Sequence, residues 1–151
     1  MIKLDTSLVG TEADIGTFRV TAAAIREFAE AVGDLNPLYL DPEAARAAGY
    51  PDAVAPPTFA MKLRGGRMQP EVPLPAGLVG LHAGQEVEFY DEIFAGRTYG
   101  VKDRIVSVYE KTGRAGPMAI IVRELQVSDE AGGRVVVVRE REIVRSPEKR
   151  L

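Results

Sequence analysis

The stretch that decides the fold is residues 97–145, RTYGVKDRIVSVYEKTGRAGPMAIIVRELQVSDEAGGRVVVVREREIVR. Three long runs within it, 97–110, 118–129 and 134–145, are rich in the β-branched residues that favour strands. The segments that separate them, KTGRAGP and EAGG, carry the glycines and the proline typical of hairpin turns. The sequence therefore predicts three successive antiparallel strands in the second half of the chain.

Two further strands precede this region. Residues 78–90, LVGLHAGQEVEFY, form another β-prone run, with apolar residues alternating at Val87 and Phe89. An earlier strand is predicted near residues 14–20, DIGTFRV. Because no helical pattern separates the last four strands, they are expected to form an antiparallel meander, which brings the sheet to five strands.

The segment between the first two strands is predicted to be helical. Residues 21–32, TAAAIREFAEAV, place apolar side chains at i, i+3, i+4 and i+7, with Thr21 positioned to cap the start. A shorter helix is expected from Asp41 to Gly49, since Asp41 is a good cap and proline follows it. A third helix is expected in residues 58–68, TFAMKLRGGRM, ending near the glycine pair. Residues 34–40 then form the link between the first two helices.

This order of elements predicts an α+β hot-dog fold, in which an antiparallel five-stranded sheet wraps around a central helix, here the third one. The length of 151 residues suits a single domain spanning 1–151, with residues 145–151 as a loose tail. Such a sheet leaves an edge strand and an apolar flank uncovered, so at least a dimer is expected.

Composition excludes several classes of function. The chain has no cysteine, which rules out disulfides and thiolate sites, and neither a leader nor a membrane span is evident, so we expect a cytoplasmic protein without a membrane partner. A net charge of −3 with interleaved bases argues against nucleic acid. His82 is the single histidine, and no carboxylate cluster has metal-ligand spacing, so no metal is predicted. Nucleotide-binding and hydrolase-elbow motifs are also missing.

Two segments carry a resemblance to a known family. GDLNPLYLDPEAARAAGY, residues 33–50, followed by AVAPPTF, residues 53–59, is similar to the MaoC-like hydratases and dehydratases. These are hot-dog proteins that include (R)-specific enoyl-CoA hydratases and 3-hydroxyacyl-thioester dehydratases. The resemblance implies addition or removal of water at the α,β bond of an acyl thioester, carried on CoA or acyl carrier protein, with no other cofactor.

The first motif departs from the family pattern Asp-x-Asn-Pro-x-His at its last position. Asp34 matches the catalytic acid and Asn36 matches the turn, but Tyr39 occupies the place of the histidine. A tyrosine has a reference pKa of about 10, against about 6.5 for histidine, so it is a poor proton shuttle at neutral pH. Loss of a general base costs on the order of a hundred- to ten-thousand-fold in rate.

A second departure lies in the APPT segment, where Pro56 and Pro57 replace the family's His-Gly pair. In active members the glycine N–H is taken to hold the thioester oxygen, where negative charge develops. Proline has no N–H, although Thr58 still has an amide to donate. The resemblance thus makes Asp34 and Tyr39 the candidate catalytic positions, both degenerate, and Asn36, Pro57, Thr58 and His82 the candidate substrate-binding ones.

The double change resembles a subset of the family, the FAS1-like dehydratase domains, or MaoC-like N-terminal halves. Residues 82–99 supply that subset's later motif through His82, Gln85, Phe89 and Gly96, with Arg97 in place of its acid. In that subset, the degenerate domain pairs with a second hot-dog domain that keeps the Asp and His. The resemblance therefore implies a non-catalytic, acyl-binding half, in a homodimer or in a heterodimer with a catalytic MaoC-like subunit.

Other interpretations of these residues remain open. Asp34 and Asn36 suit purely structural roles in a turn, Tyr39 suits half-buried packing, and His82 suits a hydrogen-bonded strand position. The cations near the third helix suit the helix dipole or, alternatively, CoA phosphates; they are Lys62, Arg64 and Arg67. As whole functions, the alternatives are a self-sufficient hydratase or thioesterase using Asp34, or a thioester-binding module without turnover.

Overall fold

The computed structural model describes residues 2–66, 68–114 and 116–147. One five-stranded antiparallel sheet dominates it, with strand order β1-β3-β4-β5-β2. The strands are β1 (Glu12–Arg19), β2 (Val79–Phe89), β3 (Thr98–Gly113), β4 (Gly116–Ser128) and β5 (Arg134–Arg145). The helices are α1 (Ala22–Val32), α2 (Pro37–Leu40) and α3 (Pro42–Ala47), with short 3-10 helices at Thr6–Leu8 and Phe59–Arg64. This is the α+β hot-dog fold that the sequence predicts.

The position of β2 differs from the predicted meander. Strands β3, β4 and β5 follow one another as hairpins, but β2 pairs with β5, from Val79↔Arg145 to Phe89↔Val136, and forms an edge of the sheet. The connection from β2 to β3 is not a tight turn, because its backbone is hydrogen-bonded to the segment around residues 53–55. Ala55 N–H donates to Ile93 at 2.8 Å and Ala95 N–H donates to Ala53 at 2.9 Å. The meander prediction was therefore wrong for β2.

The first two helices begin where their caps predict. The Thr21 side chain accepts from the Ala24 amide at 3.1 Å, and Gly33 ends α1 in the left-handed conformation at φ 74°. Asp41 caps α3 by accepting from the Glu43 amide at 2.9 Å. The predicted link between them also contains a one-turn helix, α2, which the sequence pattern did not reveal.

The third predicted helix forms only as a six-residue 3-10 helix, Phe59–Arg64. Its i→i+3 bonding is seen where the Met61 amide donates to the Thr58 carbonyl at 3.3 Å. Thr58 makes no side-chain capping bond, and Gly65 ends the segment at φ 75°. Two prolines before it and two glycines after it confine the helical turns in this central position to six residues.

The sheet packs its inner face against these helices in one main core. Phe59 of the 3-10 helix meets Phe28 of α1 edge to face, with 5.4 Å between ring centroids, above buried Tyr99 and Leu125. A second apolar cluster fills the other end of the same face, around Ile105, Ile121, Val144 and Val72, the last from the proline-rich loop before β2. β5 continues through Arg145, and residues 148–151 of the predicted tail lie outside the described residues.

Candidate functional site

The two segments that carry the sequence resemblance meet at one cavity of about 530 Å³. Tyr39 of α2, Tyr50 after α3 and Pro57 line one side of it. Phe89 at the end of β2 and Val136 of β5 line the other. The cavity therefore lies where the motif segments face the edge of the sheet.

Asn36 builds the turn that presents Tyr39. Its side-chain oxygen accepts from the Leu38 amide at 3.0 Å, so that it caps α2, and Pro37 occupies the first helical position. The Val54 amide donates to the Leu38 carbonyl at 3.0 Å, which ties α2 to the segment that carries the two prolines. Asn36 thus has a structural role, and its assignment as a substrate contact stays a prediction.

Tyr39 has the electrostatics of a hydrogen-bond donor rather than a base. Burial raises the pKa of Tyr39 above its usual value near 10, and the charges of Asp34 and Tyr50 raise it further. The phenol is therefore protonated at neutral pH. Asp34 itself is exposed and does not line the cavity, but its influence on Tyr39 places the two side chains within electrostatic reach.

The proline pair leaves this wall of the cavity without the expected amide. Pro56 is buried and Pro57 exposed, and both line the cavity without an N–H. The next buried residue, Phe59, already uses its amide, which donates to the Pro56 carbonyl at 2.9 Å. Thr58 is exposed and does not line the cavity, so its predicted substrate contact also stays a prediction.

His82 lies away from Tyr39, at a second cavity of about 210 Å³. This cavity is lined in part by Arg123 of β4 and by Glu140 and Glu142 of β5. His82 is exposed there and pairs with Glu142 in the β2–β5 register. The structure therefore does not bring His82 to the candidate catalytic positions, and its substrate contact remains a prediction.

A β-bulge places His82 and Gln85, two residues of the later motif, on the same face of β2. Residues three apart normally point to opposite faces of a strand, yet His82 and Gln85 lie opposite Glu142 and Glu140, which share a face of β5. The extra residue lies between His82 and Gly84, where Gly84 adopts φ 144°. His82 and Gln85 consequently face the inner side of the sheet together.

The alternative role of the helix-end cations in phosphate binding does not fit Arg64. Arg64 is 8% exposed, with Nε 3.0 Å from Asp103 Oδ2 and Nη1 2.5 Å from Glu140 Oε2. Burial raises the pKa of Asp103, although Arg64 and Arg123 oppose the shift. Lys62 is exposed and lies 3.4 Å from Glu27, and Arg67 lies outside the described residues.

A family model described as "FAS1-like, dehydratase domain region" matches residues 7–138. The chain belongs to this family. A FAS1-like dehydratase domain is a hot-dog domain of the hydratase and dehydratase class, which agrees with the resemblance drawn from the motifs at residues 33–50 and 53–59.

One relative and two solved structures are similar to this chain over most of its length. A UPF0336 protein from Streptomyces avermitilis is 39% identical over 152 residues, covering 97% of this chain and 98% of that protein. The C-terminally truncated HadBC (3R-hydroxyacyl-ACP dehydratase) complex from Mycobacterium tuberculosis superposes with a TM-score of 0.72 at 24% identity, covering 90% of this chain and 96% of that chain. A MaoC-like dehydratase superposes with a TM-score of 0.78 at 25% identity, covering 93% of this chain but 43% of that chain.

The sequence motifs do not identify several residues that line the cavity of this FAS1-like dehydratase domain. Tyr50 lines the same cavity as Tyr39, and α3 ends before it in a tight turn, in which the Tyr50 amide donates to the Ala45 carbonyl at 3.0 Å. Tyr90, Asp91 and Glu92 reach the cavity from the connection after β2. Within the described residues, no helix of the domain is both long and apolar enough to span a membrane.

Proposed function

We propose that this FAS1-like dehydratase domain is the acyl-binding, non-catalytic half of a hydratase or dehydratase that acts on acyl thioesters of CoA or acyl carrier protein. The observation that carries the proposal is the pairing, in one cavity, of a protonated Tyr39 with two consecutive prolines. Hydration of an enoyl thioester needs a proton acceptor and an amide donor at these two positions, and Tyr39 and the prolines supply neither.

Hydration of an enoyl thioester adds a hydroxyl to the β carbon and a proton to the α carbon, while negative charge develops on the thioester oxygen. A base must first take a proton from water, and Tyr39 with a raised pKa is a poor base at neutral pH. Its O–H is instead suited to donate a hydrogen bond to the thioester carbonyl. Val54, Ile93 and Val136 give the cavity apolar walls that suit an acyl chain.

A partner subunit then has to supply the reacting groups. The HadBC neighbour is a complex, and the MaoC-like dehydratase neighbour is more than twice as long as the matched region. Among the described residues, β2 is an edge strand with no strand paired to its far side, and Leu81, Phe89 and Tyr90 stay 42%, 56% and 52% exposed beside it. These features support pairing along β2, with a catalytic hot-dog subunit or with a second copy.

Substituting Phe89 by lysine is expected to weaken this pairing by about tenfold or more, because a charge would replace a large apolar contact at the edge. Analytical ultracentrifugation measures the dissociation constant of the assembly that the purified chain forms alone or with its catalytic partner. Tyr109→Lys is the matched control, since Tyr109 is 46% exposed on β3, away from this edge. Equal losses in the two variants would argue against pairing along β2.

Calorimetric titration with crotonyl-CoA and with free CoA tests the acyl-binding role. We expect crotonyl-CoA to bind and free CoA to bind at least tenfold more weakly, because only the acyl thioester fills the cavity. Tyr39→Phe should lower crotonyl-CoA affinity by about three- to tenfold, the usual effect of one lost hydrogen bond. Tyr109→Phe serves as the control. Equal affinities for the two ligands, or no binding of either, would contradict the role.

A further inference from the structure

The structure assigns a second ligand subsite, in the 210 Å³ cavity lined by His82, Arg123 and Glu142. We propose that it holds the far end of the acyl chain and selects chains that carry a neutral oxygen substituent, such as a hydroxyl. This inference rests on the proposed acyl-binding function and deepens it, by naming the class of acyl group.

Arg123 supplies the donors of this subsite. Its side chain is 3% exposed and lines the cavity, and its Nε and Nη1 have no hydrogen-bond partner among the described residues. A buried donor without a partner is destabilising, so the cavity favours an occupant that brings an acceptor oxygen. Water can fill this role in the empty protein, and a ligand oxygen can replace it.

The acids around Arg123 decide the charge of the occupant. Asp103 is the acid that acts most strongly on the Arg123 charge, followed by Glu142, which lines the cavity, and by Glu140, which is paired with Arg64. Arg141 is held by Glu86 at 2.6 Å. A phosphate or a carboxylate would meet these acids, whereas a hydroxyl can accept from Arg123 and donate to a carboxylate.

Gly80 makes room for the Glu142 carboxylate. A Cβ at residue 80 would lie 1.8 Å from Glu142 Oε1, so that any larger residue would displace the carboxylate. Met68 and Ile121 add apolar walls to the same cavity. The subsite therefore combines walls for methylene groups with one donor and one acceptor.

A strip of the inner sheet face, along the edge strand β2, lies between this cavity and the first, and beside it on β5 Val138 is buried. Phe89 and Val136 belong to the first cavity, while Glu140, four residues further along β5, belongs to the second, a span of about 13 Å. Gln85 and Val87 lie between them on the same face of β2, with Gln85 exposed and Val87 partly buried. An extended acyl chain that starts at Tyr39 can follow this strip.

An acyl chain that ends in a methyl group would leave the Arg123 donors without an acceptor. Such a chain end keeps water away from these donors and offers them no acceptor, which costs affinity. A terminal hydroxyl restores the bond. The subsite consequently discriminates between chains of equal length by their far end.

The test compares dodecanoyl-CoA with ω-hydroxydodecanoyl-CoA by calorimetry on the purified full chain. We expect the hydroxylated thioester to bind about tenfold tighter, the equivalent of one hydrogen bond to a charged donor. Arg123→Met should remove this preference. Because that change also touches the buried ion pairs, Gly80→Ala is the second variant: it displaces Glu142 and leaves those pairs in place, and it should reduce the preference as well.

Crotonyl-CoA, which is too short to reach the subsite, is the control and should bind all three proteins equally. Equal affinity of the wild type for both dodecanoyl thioesters would mean that the cavity holds water only and would overturn the inference. A preference that survives both substitutions would overturn it too. If crotonyl-CoA itself fails to bind, the proposed function fails first, so the two failures are distinguishable.

Discussion

An Arg64→Ala variant is expected to lose about 3–5 kcal/mol of unfolding free energy, the usual cost of removing one partner from a buried ion pair. Arg64 is 8% exposed and faces Asp103, which is fully buried, and Glu140, which is 8% exposed. Without the guanidinium, these carboxylates keep the cost of burial and lose their nearest cation. Urea denaturation followed by circular dichroism measures the change.

Lys62→Ala is the matched control, because Lys62 lies two residues earlier in the same 3-10 helix and is exposed. Its ion pair with Glu27 spans 3.4 Å at the surface, and such pairs contribute about 0–1 kcal/mol. If Arg64→Ala were no more destabilising than Lys62→Ala, the buried charges would not depend on Arg64.

The strands were predictable because their cause is local. Runs of β-branched residues with glycine-rich turns place β3, β4 and β5 within one or two residues of their observed bounds, except that β3 continues three residues further, to Gly113. The neighbour of β2 was not predictable from such runs. It depends on backbone bonds between residues 91–97 and two distant segments, at Val20 and at Ala53–Ala55, which no alternation pattern encodes.

The central helix shows a second limit of the sequence pattern. Residues 58–68 have helical composition, but the flanking prolines and glycines allow only Phe59–Arg64 to turn, as a 3-10 helix. The partners of Arg64 come from β3 and β5, far away in sequence. From the sequence alone, Arg64 was therefore interpreted as a cation that suits the helix dipole, and not as part of a buried ion pair. A charged residue in a helix gives no local signal that it is buried.

The candidate site was partly predictable. The resemblance places Tyr39 and Pro57 together, and both line the larger cavity. Local cues do not reveal that Asp34 stays outside this cavity, that Tyr50 enters it, or that the bulge before Gly84 turns His82 toward a different one. These placements arise from the packing of α2 and α3 and from strand register.

The second large effect concerns catalysis. The purified chain alone is expected to hydrate crotonyl-CoA at least a hundredfold, and up to about ten-thousandfold, more slowly than a hot-dog hydratase that keeps its base. Tyr39 stays protonated at neutral pH, and Pro56 and Pro57 offer no N–H to the developing oxyanion. Addition of a catalytic partner subunit should raise the rate, because the missing groups would then come from the partner.

Asp34→Asn separates the non-catalytic role from the alternative of a self-sufficient hydratase. Asp34 is exposed and outside the cavity, so its substitution should leave any residual rate of the lone chain unchanged. A rate that falls with Asp34→Asn would instead show that the acid acts on substrate. Both proteins should bind crotonyl-CoA equally, which confirms that the variant remains folded.

The rate of crotonyl-CoA hydration by the purified chain alone, followed by loss of enoyl absorbance, tests the central claim most directly. A non-catalytic acyl-binding half predicts binding of crotonyl-CoA with a rate at least a hundredfold below that of a hot-dog hydratase that keeps its base. Robust turnover by the lone chain, abolished by Asp34→Asn, would contradict that account.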